Sequence, residues 1–138
     1  MTKNKKIKFS YSNLSKYENY QYKGLIGWLM KYDHSALEQD LPKNNFSKTL
    51  EIGPGFHSHI DYIKHDYDKY YILEKEKDKI SFHKKRKNKK IILSTYKKDK
   101  MPFKNNFFDR IIMCHVLEHI NNPEKFILEA MTKLKKGG

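Results

Sequence analysis

The 138 residues predict an α/β fold built on a parallel sheet, and three observations carry that prediction. Short apolar runs at 48–52, 70–74, 91–95 and 108–114 have the length and continuity of strands buried on both faces. Segments at 57–65, 76–87 and 123–135 read as helices, so strand and helix alternate at the spacing of βαβ units. The run Thr49-Leu50-Glu51-Ile52 passes straight into Gly53-Pro54-Gly55-Phe56-His57. A glycine turn at a strand end is a place where backbone can approach a ligand closely.

Residues 1 to about 13 form a basic, poorly patterned lead. Ser15-Lys16-Tyr17-Glu18 fits a capping box, and Tyr22, Leu25, Ile26 and Leu29 then recur at helical spacing. Gly24 and Gly27 weaken that helix by roughly 1 kcal/mol each relative to alanine, so packing has to support it. Pro42-Lys43-Asn44-Asn45 breaks the chain before the first strand. The expected organisation is therefore a basic lead and helix over 1–46 and an α/β unit over 47–138. In the last helix Asn122 is placed to cap and Pro123 to occupy the first turn. Phe126, Ile127, Ala130, Met131 and Leu134 share a face, lysines complement the carboxyl end, and Gly137 supplies the stop.

A formal net charge of +13 invites a nucleic-acid reading. Only Arg86 and Arg110 are arginines, however, and phosphate and base readers favour the bidentate guanidinium over the ammonium. Lysine spread over nearly every segment, including Lys84 to Lys90 at a helix end, reads as solvated surface. Cys114 is the single cysteine and lies in an apolar run, so no intrachain disulfide exists and a small buried hydrophobe is expected there. The basic start precedes no apolar run of signal-peptide length, and Gly24 to Met30 is too short to span a bilayer. A cytoplasmic protein is the expectation.

Three motifs carry chemistry. In the first, a G-x-G turn alone also suits a dinucleotide fold, but the third glycine of that fingerprint is replaced by Ser58. Glu51, two residues before Gly53, would repel a pyrophosphate and suits a ligand carrying cationic groups. In the second, Tyr70-Tyr71-Ile72-Leu73 ends on Glu74, about twenty residues after the turn. In the third, Met101-Pro102-Phe103-Lys104-Asn105-Asn106-Phe107-Phe108-Asp109-Arg110 leads into a strand and then His115-Val116-Leu117-Glu118-His119.

Over residues 47–138 these motifs together resemble class I S-adenosylmethionine-dependent methyltransferases of the type 11 kind. The third is similar to the family run "LPF…FD…(S/T/C)HVLEH", and Pro123-Glu124-Lys125 and Leu134-Lys135-Lys136-Gly137-Gly138 match the family's next helix and its end. The resemblance implies a Rossmann-like parallel sheet with helices on both faces, incomplete at about four strands and preceded by a helical segment. It implies S-adenosylmethionine as cofactor, with Glu51 orienting the methionine end and Gly53 and Gly55 forming the turn. By the same resemblance Glu74 accepts from the ribose hydroxyls and His115 lines the methionine end. The family's adenine-contacting acid falls at Lys97 here, which leaves Asp99 as the candidate substitute. His115 and His119 are the candidate bases if the acceptor is a hydroxyl.

The flavour of Gly55-Phe56-His57-Ser58-His59 is similar to methyltransferases of bacterial polysaccharide biosynthesis, which implies a sugar hydroxyl as acceptor. The rival readings are an RNA methyltransferase or nucleic-acid binder, and a non-catalytic remnant of a methyltransferase. The family's fifth strand would fall after Gly138. The strand around Arg110–Cys114 is therefore expected to present an open apolar edge, and the isolated chain to self-associate through it.

Overall fold

The computed structural model describes residues 23–39, 41, 46–96 and 100–138. The capping box at Ser15, the breaker at 42–45, Lys97 and Asp99 lie outside the described residues. The elements are α1 (Gly24–Ala36), β1 (Lys48–Ile52), β2 (Lys69–Leu73), α2 (Lys77–Lys84), β3 (Ile91–Ser94), β4 (Arg110–Met113) and α3 (Pro123–Lys133). Single 3-10 turns occupy His59–Asp61 and Leu117–His119.

The four strands form one parallel sheet in the order β3-β2-β1-β4. β1 is interior, and Leu50 and Ile52 are wholly inaccessible to solvent. That burial explains the unbroken apolar run by which β1 was recognisable. Ile52 pairs with Leu73 on one side and Met113 on the other, so three strands end level with one another. The chain moves outward from β1 to β2 and β3, then crosses to the other side of β1 to make β4. The boundary between β1 and β4 is thus a topological switch point, where the loops after the two strands diverge and leave a crevice.

Leu50, Ile52, Leu73, Met101, Phe108, Val116 and Ala130 form the core, with Tyr71, Phe103, Phe107, Phe126 and Leu134 packed against it. The Tyr71 ring stands edge-on to Phe103, Phe107 and Phe108 at centroid distances of 5.9, 5.5 and 5.2 Å. Such T-shaped pairs contribute about 0.5–1.5 kcal/mol each beyond their buried area. The Phe103–Phe108 segment therefore serves as packing beneath the sheet before it becomes β4.

Five expectations need correction. The helix expected over 57–65 is only the turn His59–Asp61. The turn is capped, with Ser58 accepting from Ile60 N–H and Glu51 from His59 N–H at 2.6 Å, and the chain leaves it at Tyr62 without a second turn. In α1 the apolar residues Leu25, Ile26 and Leu29 are exposed, and the buried positions are Gly27 and His34. Gly27, His34 and Glu38 recur seven and four residues apart, on one side of a 3.6-residue helix. The face that packs is therefore small and polar. The run 108–114 is a strand only over Arg110–Met113, because Phe108 pairs with Leu134 instead. The same pairing ends α3: Leu134 turns extended at φ −76° and ψ 140°, so Gly137 is not the stop. Met131 is exposed rather than on the packed face of α3, whereas Asn122 caps as expected by accepting from Lys125 N–H. No described helix is long and apolar enough to cross a membrane.

Candidate active site

At the end of β1 the chain turns through Gly53 at φ +63° and Gly55 at φ +61°, both in the left-handed region that glycine tolerates. Gly53 N–H continues the ladder by donating to the Leu73 carbonyl at 2.9 Å. A Cβ at Gly53 would stand 3.0 Å from Val116 Cγ2, so the space it lacks is filled by the segment after β4. Gly55 N–H donates to Glu74 Oε2 at 3.2 Å. Glu74 is nearly fully buried, and its Oε1 accepts from Lys75 N–H at 2.7 Å and Glu76 N–H at 3.1 Å. One carboxylate thus ties the glycine turn to the end of β2.

Glu51 is buried against the same turn. Its carboxyl group meets the Ser58 hydroxyl, His59 N–H and the Tyr70 hydroxyl at 3.0 Å. Burial pushes this carboxyl up to about 7 despite those hydrogen bonds. From the other side of the crevice come Cys114 and His115, immediately after β4. His115 is held at φ +53°, a conformation that side-chain-bearing residues rarely adopt, and its Nε2 lies 3.5 Å from Asp33 Oδ2.

These groups enclose a cleft of about 410 Å³, lined by Glu51, Gly53, Gly55 and His115 among others, with His119 at its rim. The volume is that of a small-molecule site, typically about 300–1,000 Å³. It opens at the β1/β4 switch point, beyond the carboxyl ends of the strands. Glu74 adjoins it through Gly55 rather than lining it, and Asp99 lies outside the described residues.

Comparison with known proteins identifies the family to which this arrangement belongs. Residues 50–138 match the family described as "Methyltransferase domain". The chain belongs to this methyltransferase family. An uncharacterised protein of Methanocaldococcus jannaschii is 34% identical over 113 residues, covering 80% of this chain and 49% of that protein. A Methanococcus maripaludis protein described as an S-adenosyl-L-methionine-dependent methyltransferase superposes with a TM-score of 0.74 at 18% identity. That match covers 100% of this chain and 64% of the other. An S-adenosylmethionine-dependent methyltransferase of Aquifex aeolicus gives 0.68 at 18% identity, covering 93% and 69%. A methyltransferase solved with the Haloferax volcanii activator Trm112 also gives 0.68, at 14% identity, covering 80% and 49%. The methyltransferase chain spans about half the length of the curated relative it matches.

The Methanococcus and Aquifex proteins are described as S-adenosylmethionine-dependent, and the donor set of the cleft fits that cofactor. Glu51 and Glu118 put two carboxyl groups in the wall, beside four imidazoles and the Lys79 ammonium. The two carboxyl groups suit a ligand with ammonium and sulfonium groups. Glu74 Oε2 holds one hydrogen bond and keeps capacity for another donor.

Reasoning from sequence missed a second layer behind the cleft. His34 Nδ1 lies 2.9 Å from His59 Nδ1, and His59 Nε2 lies 2.7 Å from Glu38 Oε1. Glu38 also accepts from Arg110 at 2.6 Å and from Lys64 N–H at 2.9 Å. Burial pushes the Glu38 carboxyl up, but these donors outweigh it and hold the group below its ordinary value. Burial dominates for both rings: it lowers His59, and it takes His34 down to about 4 with help from the neighbouring imidazoles. Burial also raises the Cys114 thiol to about 11. The available signal was compositional. Of seven histidines, His34, His57, His115 and His119 line the cleft, and His59 contacts His34.

Proposed function

We propose that this protein transfers a methyl group from S-adenosylmethionine to a hydroxyl acceptor, of which a sugar is one example. The observation that carries this reading is the convergence of Glu51, Gly53, Gly55 and His115 on one cleft at the β1/β4 switch point. When bound, S-adenosylmethionine supplies an electrophilic methyl on a sulfonium, already a good leaving group. The chain's own work is then alignment, desolvation and, for a hydroxyl, removal of a proton.

The two glycines keep the strand end free of side chains. Glu51 provides a carboxyl at the methionine end, and Glu74 accepts from the ribose through its remaining capacity on Oε2. His115, which lines the cleft, serves as the base that accepts the proton from the hydroxyl. The strained backbone at His115 supports that assignment, because conformations of this kind cost about 1–3 kcal/mol and cluster at working sites. His119, at the rim, serves as the alternative base.

Calorimetric titration with S-adenosylhomocysteine tests the cofactor half of the proposal without the acceptor. One-to-one binding is expected, and Glu74→Ala is expected to weaken it roughly ten- to a hundredfold, as for loss of hydrogen bonds to a charged group. A folded chain that shows no saturable binding would refute the reading.

A further inference from the structure

We propose that His34, His59 and Cys114 form a binding site for a divalent transition metal of the zinc class, beside the methyltransferase cleft. Their candidate ligand atoms, one nitrogen from each ring and Cys114 Sγ, all lie within 4.8 Å of one another. Both histidines are almost completely buried and the cysteine is half-buried. Two imidazole nitrogens and a thiolate are a donor set that a borderline cation prefers, and that calcium or magnesium does not. An ion with bonds of about 2.0–2.3 Å separates its ligand atoms by roughly 3.4–3.6 Å in tetrahedral geometry. The widest separation therefore closes by up to about 1.4 Å, within reach of side-chain rotation. The two Nδ1 atoms, 2.9 Å apart in their hydrogen bond, separate by about 0.5 Å to admit the ion.

The surroundings of His59 make the argument stronger than proximity alone. Its Nε2 lies 2.7 Å from Glu38 Oε1, so the carboxylate holds the ring proton on Nε2 and leaves a lone pair on Nδ1. That lone pair accepts from His34 Nδ1–H, and an ion takes the place of this bridging proton once His34 carries its proton on Nε2 instead. A carboxylate behind a ligating histidine is the arrangement that fixes tautomer and ring orientation in metal sites. Glu38 is itself anchored by Arg110 and by Lys64 N–H, so the supporting layer is complete without an ion. The Tyr62 ring stacks on His34 at 4.8 Å and 9°, which limits how that ring turns. His34 and Cys114 also line the cleft, so a fourth coordination position would face it.

The site is independent of the cofactor reading and is tested without cofactor. The purified chain is titrated with cobalt(II) and zinc(II), with circular dichroism as the check on folding. One-to-one binding is expected, with a cobalt–thiolate charge-transfer band that zinc displaces. Cys114 is the sole cysteine, so that band reports on it alone. Cys114→Ser is expected to abolish the band, and Glu38→Gln to weaken binding roughly ten- to a hundredfold. In the parent chain, needing no variant, zinc is expected to slow alkylation of Cys114. The proposal is overturned if the folded chain binds neither ion stoichiometrically. It is equally overturned if the cobalt spectrum is unchanged in Cys114→Ser, or if zinc leaves the alkylation rate unaltered.

Discussion

Replacing Gly53 by valine is expected to remove S-adenosylhomocysteine binding and to lower the melting temperature by many degrees in the same variant. The residue sits at φ +63°, where a β-branched side chain is a genuine outlier costing about 1–3 kcal/mol. The new Cβ would also stand 3.0 Å from Val116 Cγ2, before the two methyl groups of valine are placed. Val116 is buried in the core, so it cannot move aside freely, and overpacking of this kind costs typically another 1–3 kcal/mol. Together these are a large share of the roughly 5–15 kcal/mol that holds a domain folded. The steric conflict is with the segment after β4 rather than with the ligand's space. Loss of binding would therefore result from displacement of Cys114 and His115 across the cleft. Gly53→Ala separates the two terms, because it keeps the backbone strain with less bulk. A valine variant that melts with the parent and binds normally would refute this account of the turn.

Glu51→Gln is expected to change how stability depends on pH while leaving the fold intact. Burial raises the Glu51 carboxyl to about 7, so the folded chain holds a proton that the unfolded chain releases near its ordinary value of 4.5. The stabilisation from that proton is complete below the unfolded value and is lost as pH rises through about 7. A shift of this size corresponds to roughly 3 kcal/mol. The buried histidines His34, His59 and His83 are shifted downward, so their contribution runs the other way, being lost as pH falls below their unfolded value. The net curve of the parent chain mixes both signs. The difference between parent and variant isolates Glu51, because glutamine imitates the protonated acid and still offers an oxygen to His59 N–H. Denaturant unfolding across pH 5 to 8 should show Glu51→Gln gaining on the parent at each step upward. Parallel curves would mean that Glu51 ionises at its ordinary pH in the folded chain.

Much of this was legible in the sequence where local pattern and burial coincide. β1 and β2 are interior, so their apolar runs and the polar groups at their ends marked the strand ends and the turn to within a residue. Asn122 and Pro123 act through backbone amides a few residues away, and capping chemistry of that range is readable by eye. What escaped was determined at long range. After the glycine turn the chain makes only a single 3-10 turn, tied to the sheet by Glu51, eight residues before His59, whose carboxyl accepts from the His59 amide. The Leu25, Ile26 and Leu29 stripe pointed to the wrong face of α1, because His34 and Glu38 find partners in His59 and in Arg110, more than seventy residues away. Arg110 entered the sequence argument only as one of two arginines, and no periodicity could have assigned it to Glu38. Polar burial depends on pairing, and pairing across the fold leaves no local trace.

The bridge between Phe108 and Leu134 has a consequence for how this sheet can grow. Lys135 N–H donates to the Phe108 carbonyl, and Lys135 Nζ reaches Asp109 Oδ1 at 2.5 Å, which staples the chain beyond α3 to the threshold of β4. Gly138 sits so near the Asp109 carbonyl that a Cβ there would be 2.8 Å from it. The outer rim of β4 is consequently not a blank margin but one with a starting notch. Any strand laid along Arg110–Met113, from this polypeptide or another, meets an index mark at Asp109 and can slide only as far as that mark permits.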